Sequence, residues 1–258
     1  MQTAQILFHE EPYVRARKID QSIDLIPFSV LIPVLNEEKI IIRNTQRLVD
    51  FLQKLQSPYE IIIIDNGSND STLKKGKFLE EKYPGIVRFL KIDKRGAVGW
   101  AFKKGVLSAK YDKIISLDMD LSIDLKLFIP RCLELLDENS IVVGSKFMRG
   151  GSQKRSLLRM FASGTFIVLS SLLLGLQFSD YSMSAKGYRR DDIIGDAKKI
   201  DKGSSYVIEL IYLAKKKNLK IRQIPVHCFD RRSSKFSFID EVLYRFRRLL
   251  NFWLREII

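Results

Sequence analysis

Ile61, Ile62, Ile63 and Ile64 stand consecutively in the run Glu60–Asp65, EIIIID. Successive side chains of a strand point to opposite faces, so a strand with no polar alternate must be covered on both. That demand excludes a sheet with a solvated face and calls for helices above and below. Runs of strand length recur at Phe28–Val34, Val87–Asp93, Lys113–Leu117 and Ile141–Ser145. Segments of helical period fill the gaps. Between the first two runs, Ile40, Ile41, Thr45, Leu48, Val49, Leu52 and Leu55 recur at intervals of three and four, an amphipathic stripe. The first 145 residues therefore predict a doubly wound, mostly parallel α/β sheet whose ligands sit at the carboxyl ends of its strands. At 258 residues the chain has room for one large domain of this kind.

Polar residues collect where that geometry places ligands. The successive runs end in PVLNEE (Pro33–Glu38), DNGSND (Asp65–Asp70), DKRGAVG (Asp93–Gly99) and DMDLS (Asp118–Ser122). Each taken singly reads as an ordinary turn or helix cap. Four in series at one sheet edge read as a site. Asp118 and Asp120 are two residues apart, so on an extended chain their side chains point the same way with Cα atoms roughly 6.6 Å apart. Carboxylates without His or Cys select a hard ion, Mg²⁺ or Mn²⁺, which completes its shell with water and substrate phosphates.

The chain carries 44 Lys and Arg against 30 Asp and Glu, a net charge of +14. Such a balance suits a polyanionic partner: a nucleic acid, an anionic membrane or a phosphorylated substrate. No zinc spacing or aromatic RNA-binding motif accompanies the charge, so nucleic acid is not the expected partner. Cys132, Cys228, His9 and His227 form neither a disulfide framework nor a zinc site and read as reduced core cysteines and isolated histidines. No basic, apolar leader opens the chain, so no signal peptide is expected.

Two later segments bear on membranes. Met160–Ser179 is free of charge and long enough to span a bilayer, but Ser163, Gly164, Thr165, Ser170, Ser171, Gly175 and Gln177 dilute it. A helix or helix pair packed on the domain, touching the bilayer surface, is the preferred expectation over a span. At the C-terminus, Ile239, Val242, Leu243, Phe246, Leu249, Leu250, Trp253, Leu254 and Ile257 share one helical face. Arg245, Arg247, Arg248 and Arg255 lie off it. That pattern suits a helix in a membrane interface, and equally one packed on its own domain or on a partner.

In order along the chain, FSVLIPVLNEE, IIIIDNGSNDST, RGAVGWAFKKG, LDMDLS, IVVGSKF and IPVHCFDRRSSK resemble the motif series of family 2 glycosyltransferases of the GT-A (Rossmann-like) fold. The likeness is greatest to the polyprenyl-phosphate (dolichyl-phosphate) mannosyl- and glucosyltransferases. It runs from about Phe28 to Lys235. Asn66 stands in place of a second acid, Lys146 in place of Arg, and Ser184 and Ala185 in DYSMSAK in place of Gly and Phe.

The resemblance implies three segments: a lead over 1–27, the GT-A domain over 28–235 and an amphipathic membrane-interface or partner-binding helix over 236–258. It implies that Pro33, Asn36, Glu37, Asp65 and Gly96 line the nucleotide-sugar pocket, and that Asp118 and Asp120 hold Mg²⁺ or Mn²⁺ against the donor diphosphate. Ser122 falls where the mannosyltransferases have a Gln as third ligand. Arg155, Arg159, Arg231, Arg232 and Lys235 occupy the places of residues that engage the lipid phosphate or the diphosphate. Arg159 is expected to act in catalysis beside Asp118 and Asp120.

The implied activity is inverting transfer of mannose or glucose, from GDP-mannose or UDP-glucose, to a polyprenyl phosphate. The implied place is the cytosolic face of a membrane, bound at the surface directly or through a membrane-protein partner. An ionised phosphate acceptor is already a nucleophile, which accords with the absence of His from the motifs. The alternative is a family 2 enzyme acting on a sugar hydroxyl, for which Asp180 or Glu209 is a candidate base, although ion-pair roles are expected for both.

Overall fold

The computed structural model describes residues 26–92, 98–148, 157–181, 183–229 and 238–257. Its strands are β1 (Phe28–Val34), β2 (Tyr59–Asp65), β3 (Val87–Lys91), β4 (Lys113–Ser116), β5 (Ile141–Ser145), β6 (Lys186–Arg189) and β7 (Ile221–Pro225). The helices are α1 (Ile41–Leu52), α2 (Thr72–Lys82), α3 (Val98–Ser108), α4 (Leu125–Leu135), α5 (Leu157–Leu174), α6 (Arg190–Ala197), α7 (Tyr206–Lys216) and α8 (Phe238–Ile257). Among the described residues one sheet runs in the order β3-β2-β1-β4-β6-β5-β7.

The isoleucine run meets the demand it makes. Ile61 and Ile63 enter a core with α1, α2 and α4, while Ile62 and Ile64 enter a second core with α3, α5, α6, α7 and α8. All four are fully buried. In β1, Val30 and Ile32 face the first core and Leu31 the second. The sheet is thus covered on both faces, as an uninterrupted apolar strand requires.

The expected parallel order holds for β3, β2, β1 and β4. It does not continue directly to β5, because β6 lies between β4 and β5 and is antiparallel to both. β7 then adds to β5 in parallel. Gly187 lets β6 sit under α4, since a Cβ there would stand 2.2 Å from the Cys132 sulfur. Two strands also stop short of their expected ends. β3 closes at Lys91, the expected end Asp93 lying outside the described residues, and β4 at Ser116, just before the chain turns at Met119 and Asp120.

α5 ends at Gly175, whose φ of 64° suits a residue without a Cβ and whose N–H bonds the Ser171 carbonyl. Among the described residues no helix is long and apolar enough to cross a membrane. α8 packs on the domain through Leu249 and Phe252, both 2% exposed. Edge-to-face contacts join Phe246 to Phe166 and Phe252 to Tyr212. Polar ties add to them: Tyr244 donates to Asp201 at 2.7 Å, and Arg248 pairs with Asp201 at 2.9 Å and with Glu209 at 3.3 Å. The apolar face seen in the sequence therefore divides, with Leu243, Leu250 and Leu254 remaining on the outside. Beside α8, Val168 and Leu172 of α5 are also exposed.

Candidate active site

β1 and β2 run in register with Val34 opposite Asp65, so their C-terminal loops leave the sheet side by side. The loops are sewn together. Asn36, at a left-handed φ of 54°, donates its N–H to Ser68 Oγ at 2.8 Å and accepts from the Asn69 N–H at 2.9 Å. Asn tolerates that backbone better than other residues with a Cβ. Glu37 N–H donates to Thr72 Oγ1 at 2.8 Å, and Glu38 Oε2 accepts from Ser71 N–H at 3.0 Å. Asn36 and Glu37 thus hold the wall of the edge in shape, and Pro33 lies half-buried in β1 just below them.

Asp65 is fully buried at the end of β2. Its Oδ1 accepts from Ser68 N–H at 3.1 Å, whereas Oδ2 has no hydrogen-bond partner among the described residues. A buried acceptor left open is costly unless a ligand fills it.

The acidic pair lies on a turn, not on an extended strand. After Ser116 the chain makes one more ladder bond, Leu117 N–H to the Leu31 carbonyl, and then turns: Leu121 N–H bonds the Asp118 carbonyl at 3.1 Å, with Leu121 at φ 49°. Met119 anchors the turn. It is 2% exposed in the first core, its carbonyl accepts from Asn44 Nδ2 at 2.9 Å, and its sulfur accepts from the Thr45 hydroxyl. Met119 points inward, and its neighbours Asp118 and Asp120 stay more accessible. Asp120 Oδ1 accepts from Ser122 N–H at 3.1 Å, which fixes the near side of the turn.

A concave pocket takes in Asp118, Asp120, Ser122, Met183, Ser184 and Cys228. Two carboxylates and a hydroxyl are a hard donor set. They fit Mg²⁺ or Mn²⁺ completed by water and phosphate oxygens, and no cluster of three His, Cys, Asp or Glu among the described residues offers a fuller cage.

Both cysteines are buried as reduced thiols, and burial pushes the Cys132 thiol far up. Asp180 and Glu209, the candidate bases, are engaged in ion pairs. Asp180 pairs with Lys146 at 3.3 Å, both side chains being almost fully buried. Glu209 accepts from Asp201 N–H at 2.9 Å and pairs with Arg248 and Arg255. Burial raises its carboxyl, against the pull of Arg248.

Of the expected phosphate-binding residues, Arg159 falls in the first turn of α5. Gly96, Arg155, Arg231, Arg232 and Lys235 lie outside the described residues. Three residues not among the expected site residues join it, Lys186 being the last residue of the DYSMSAK segment. Asn44 holds the acidic turn, and Lys186 and Tyr206 lie within electrostatic reach of Asp118.

Residues 29–195 match the model of glycosyl transferase family 2. The chain belongs to this family. A dolichyl-phosphate beta-glucosyltransferase of Dictyostelium discoideum is 30% identical over 90% of this chain and 77% of its own length. An undecaprenyl-phosphate 4-deoxy-4-formamido-L-arabinose transferase of Pectobacterium atrosepticum is 32% identical over 65% of this chain, and the match takes in 50% of that enzyme. For its counterpart in Salmonella choleraesuis the values are 30%, 82% and 63%. The chain thus spans half to about two thirds of these last two relatives.

Among solved structures, the glucosyl-3-phosphoglycerate synthase of Mycobacterium tuberculosis in complex with UDP superposes with a TM-score of 0.63 at 17% identity, covering 89% of this chain and 79% of that one. Its complex with Mn²⁺ and UDP-glucose gives 0.62 at 18% identity. This likeness establishes the GT-A type of fold for the glycosyltransferase.

Proposed function

We propose that this glycosyltransferase moves a hexose, with inversion, from a nucleotide sugar to a polyprenyl phosphate at the cytosolic face of a membrane. The observation that carries the proposal is the gathering of Asn36, Asp65, Asp118 and Asp120 on one sheet edge. The chain containing it resembles, over 90% of its length, an enzyme named for dolichyl phosphate and glucose. That relative favours UDP-glucose over GDP-mannose as donor.

In this reading Pro33, Asn36, Glu37, Asp65 and Gly96 are the residues that line the nucleotide-sugar pocket. Asp118 and Asp120, with Ser122 as third donor, hold Mg²⁺ or Mn²⁺. When bound, such an ion offsets the charge that develops on a departing diphosphate. The chain's own part is to hold donor and acceptor in line and to keep cations near the phosphate. Arg155, Arg159, Arg231, Arg232 and Lys235 are the proposed phosphate contacts, Arg by its fork and Lys as a point charge. The acceptor phosphate is its own nucleophile, so the ion-paired Asp180 and Glu209 are not needed as bases.

The exposed apolar stripe of Val168, Leu172, Leu243, Leu250 and Leu254, with Arg247 beside it, supports surface binding. It accords with a peripheral enzyme that meets its lipid acceptor at the bilayer, alone or with a membrane-protein partner.

The test is transfer of radiolabelled sugar from UDP-glucose and GDP-mannose, in parallel, into an organic-extractable product with a polyprenyl phosphate and Mn²⁺ or Mg²⁺. EDTA-sensitive label in the organic phase is expected with UDP-glucose, and Asp120→Ala is expected to abolish it in a folded protein. Label in a soluble glycan instead, with none in lipid, refutes the phosphate acceptor.

A further inference from the structure

Lys186 stands in β6 opposite Ser116 of β4 and Val143 of β5. By strand alternation it shares a sheet face with Tyr188, which packs against Phe102 of α3 in the second core. Its side chain is fully buried, and its Nζ has no hydrogen-bond partner among the described residues. An ammonium so placed is costly, and a methionine of similar length would fill the space without that cost. Such orphaned charges call for an explanation in function.

The surroundings indicate which function. Burial pushes the Lys186 ammonium down to about 8, against the upward pull of Asp180 and then Asp118, while Lys146 and Arg245 push the same way as burial. Asp180 already has Lys146 at 3.3 Å. The other carboxylate that Lys186 feels is Asp118, one of the two proposed metal ligands. Asp118 lies two residues beyond Ser116, the last residue of β4 and the cross-strand partner of Lys186. Arg245, from α8, lies within electrostatic reach of Lys186, and Tyr206, from α7, within reach of Asp118. Lys186 is sealed from solvent and cannot touch a substrate in this arrangement. Its charge acts through its neighbours.

We propose that Lys186 is a positioning residue: a fixed positive charge buried behind Asp118 that limits how strongly this carboxylate holds a divalent cation. The inference rests on the metal role proposed above for Asp118 and Asp120. Removing the charge leaves the acidic turn more electronegative, so cation affinity rises and exchange slows. Restoring a cation restores the balance. Asp180 has the opposite effect, because its carboxylate shares the Lys186 charge that otherwise falls on Asp118.

The experiment is titration of Mn²⁺ alone into the full chain at about pH 7 and low salt, with free Mn²⁺ read by electron paramagnetic resonance, and repeated with UDP present. Lys186→Met is expected to tighten Mn²⁺ binding about threefold or more, and Lys186→Arg to stay within about twofold of wild type. Asp180→Asn is expected to loosen it about threefold. A purely structural Lys186 would shift the melting temperature and leave Mn²⁺ affinity alone.

Unchanged or weaker binding by a folded Lys186→Met protein, with Asp120→Ala abolishing binding, overturns the role of Lys186 and leaves the metal site standing. Wild-type uptake no greater than that of Asp120→Ala overturns the metal site and this inference together. If Lys186→Met does not fold, Asp180→Asn decides, and unchanged affinity there overturns the proposal.

Discussion

Asn44 offers a sharp test of how the fold holds the acidic turn. It sits in α1, 3% exposed, and its Nδ2 donates to the Met119 carbonyl at 2.9 Å, midway between Asp118 and Asp120. Asn44→Ala leaves that buried carbonyl without its donor, which costs about 1–3 kcal/mol. The lost carboxamide also leaves a small void, so the total should fall near 2–3 kcal/mol. For a domain of this size each kcal/mol moves the melting temperature by roughly 2–4 °C, which gives a drop of about 5–10 °C.

The turn should also lose its aim. Mn²⁺ affinity and EDTA-sensitive transfer should fall further than the stability loss explains at temperatures where the variant remains folded. Asn44→Asp keeps the volume but sets a carboxylate oxygen against the carbonyl, and it should be no better than alanine. The measurements are urea denaturation and Mn²⁺ titration of the same preparations. A loss under about 0.5 kcal/mol with unchanged Mn²⁺ affinity would show that Met119 packing alone holds the turn and would refute this account.

Glu209→Ala removes the carboxylate that ties α8 to α7 and deprives Arg248 and Arg255 of a buried partner. Since Arg248 is 33% exposed and Arg255 55%, the loss should be about 1–3 kcal/mol. Hydrogen exchange over 242–256 should quicken before the rest of the domain. Gly187→Ala places a methyl against Cys132 and Leu136 and should destabilise by about 1–3 kcal/mol in chemical denaturation, and Gly187→Ala with Cys132→Ala should recover part of it. The Lys186 group is held near 8 in the fold, against an ordinary lysine value of 10.5. Between those values the unfolded chain binds more protons, so the contribution of this group to stability rises with pH, and its full penalty applies below about pH 8. The stability advantage of Lys186→Met over wild type, up to about 3 kcal/mol near neutrality, should therefore shrink between about pH 8 and 10.5.

The elements legible in the sequence are those whose burial is total. β1 and β5 have the bounds their apolar runs predict, because every step of those runs must leave solvent on one face or the other. β4 ends early for a local reason: Leu117 still makes one backbone bond to β1, but the chain beyond it turns at Asp118–Leu121 to present its acids, and beyond Ile92 of β3 the expected Asp93 lies outside the described residues. β6 was not legible. Its sequence is KGYR, with a charge and a glycine in four residues, and it is extended only because β4 and β5 offer it ladder partners on both edges. Propensity does not foresee a strand imposed by its neighbours.

The site divides along the same line. Asn36, Asp65, Asp118 and Asp120 stand at strand ends, where polar residues are conspicuous beside apolar runs. Asn44 lies on the apolar stripe of α1, three residues after Ile41 and four before Leu48, and that spacing is the signal that separates it from Arg43 and Gln46; its amide is what hid it among apolar neighbours. Lys186 closes the DYSMSAK segment, so its position was marked in the sequence, but its burial was not, because a lysine in a basic chain reads as one more surface charge.

The net charge of +14 suggests an electropositive exterior meeting an anionic surface. Yet Lys146 and Lys186 are among the most buried side chains of the molecule, and with Arg245 they cluster near Asp118 and Asp180. Charge spent inside the protein cannot steer a distant membrane, but it acts across a low dielectric and escapes the screening that weakens surface charges. On the surface binding and the Lys186 role proposed above, a basic composition serves two separate ends: outer cations such as Arg247 for an anionic surface, and inner cations that set the electrostatics of the acidic turn. The two can be told apart by salt. Raising ionic strength should weaken association with anionic vesicles while leaving the difference in Mn²⁺ affinity between wild type and Lys186→Met largely intact, and equal loss of both would place the Lys186 effect at the surface instead.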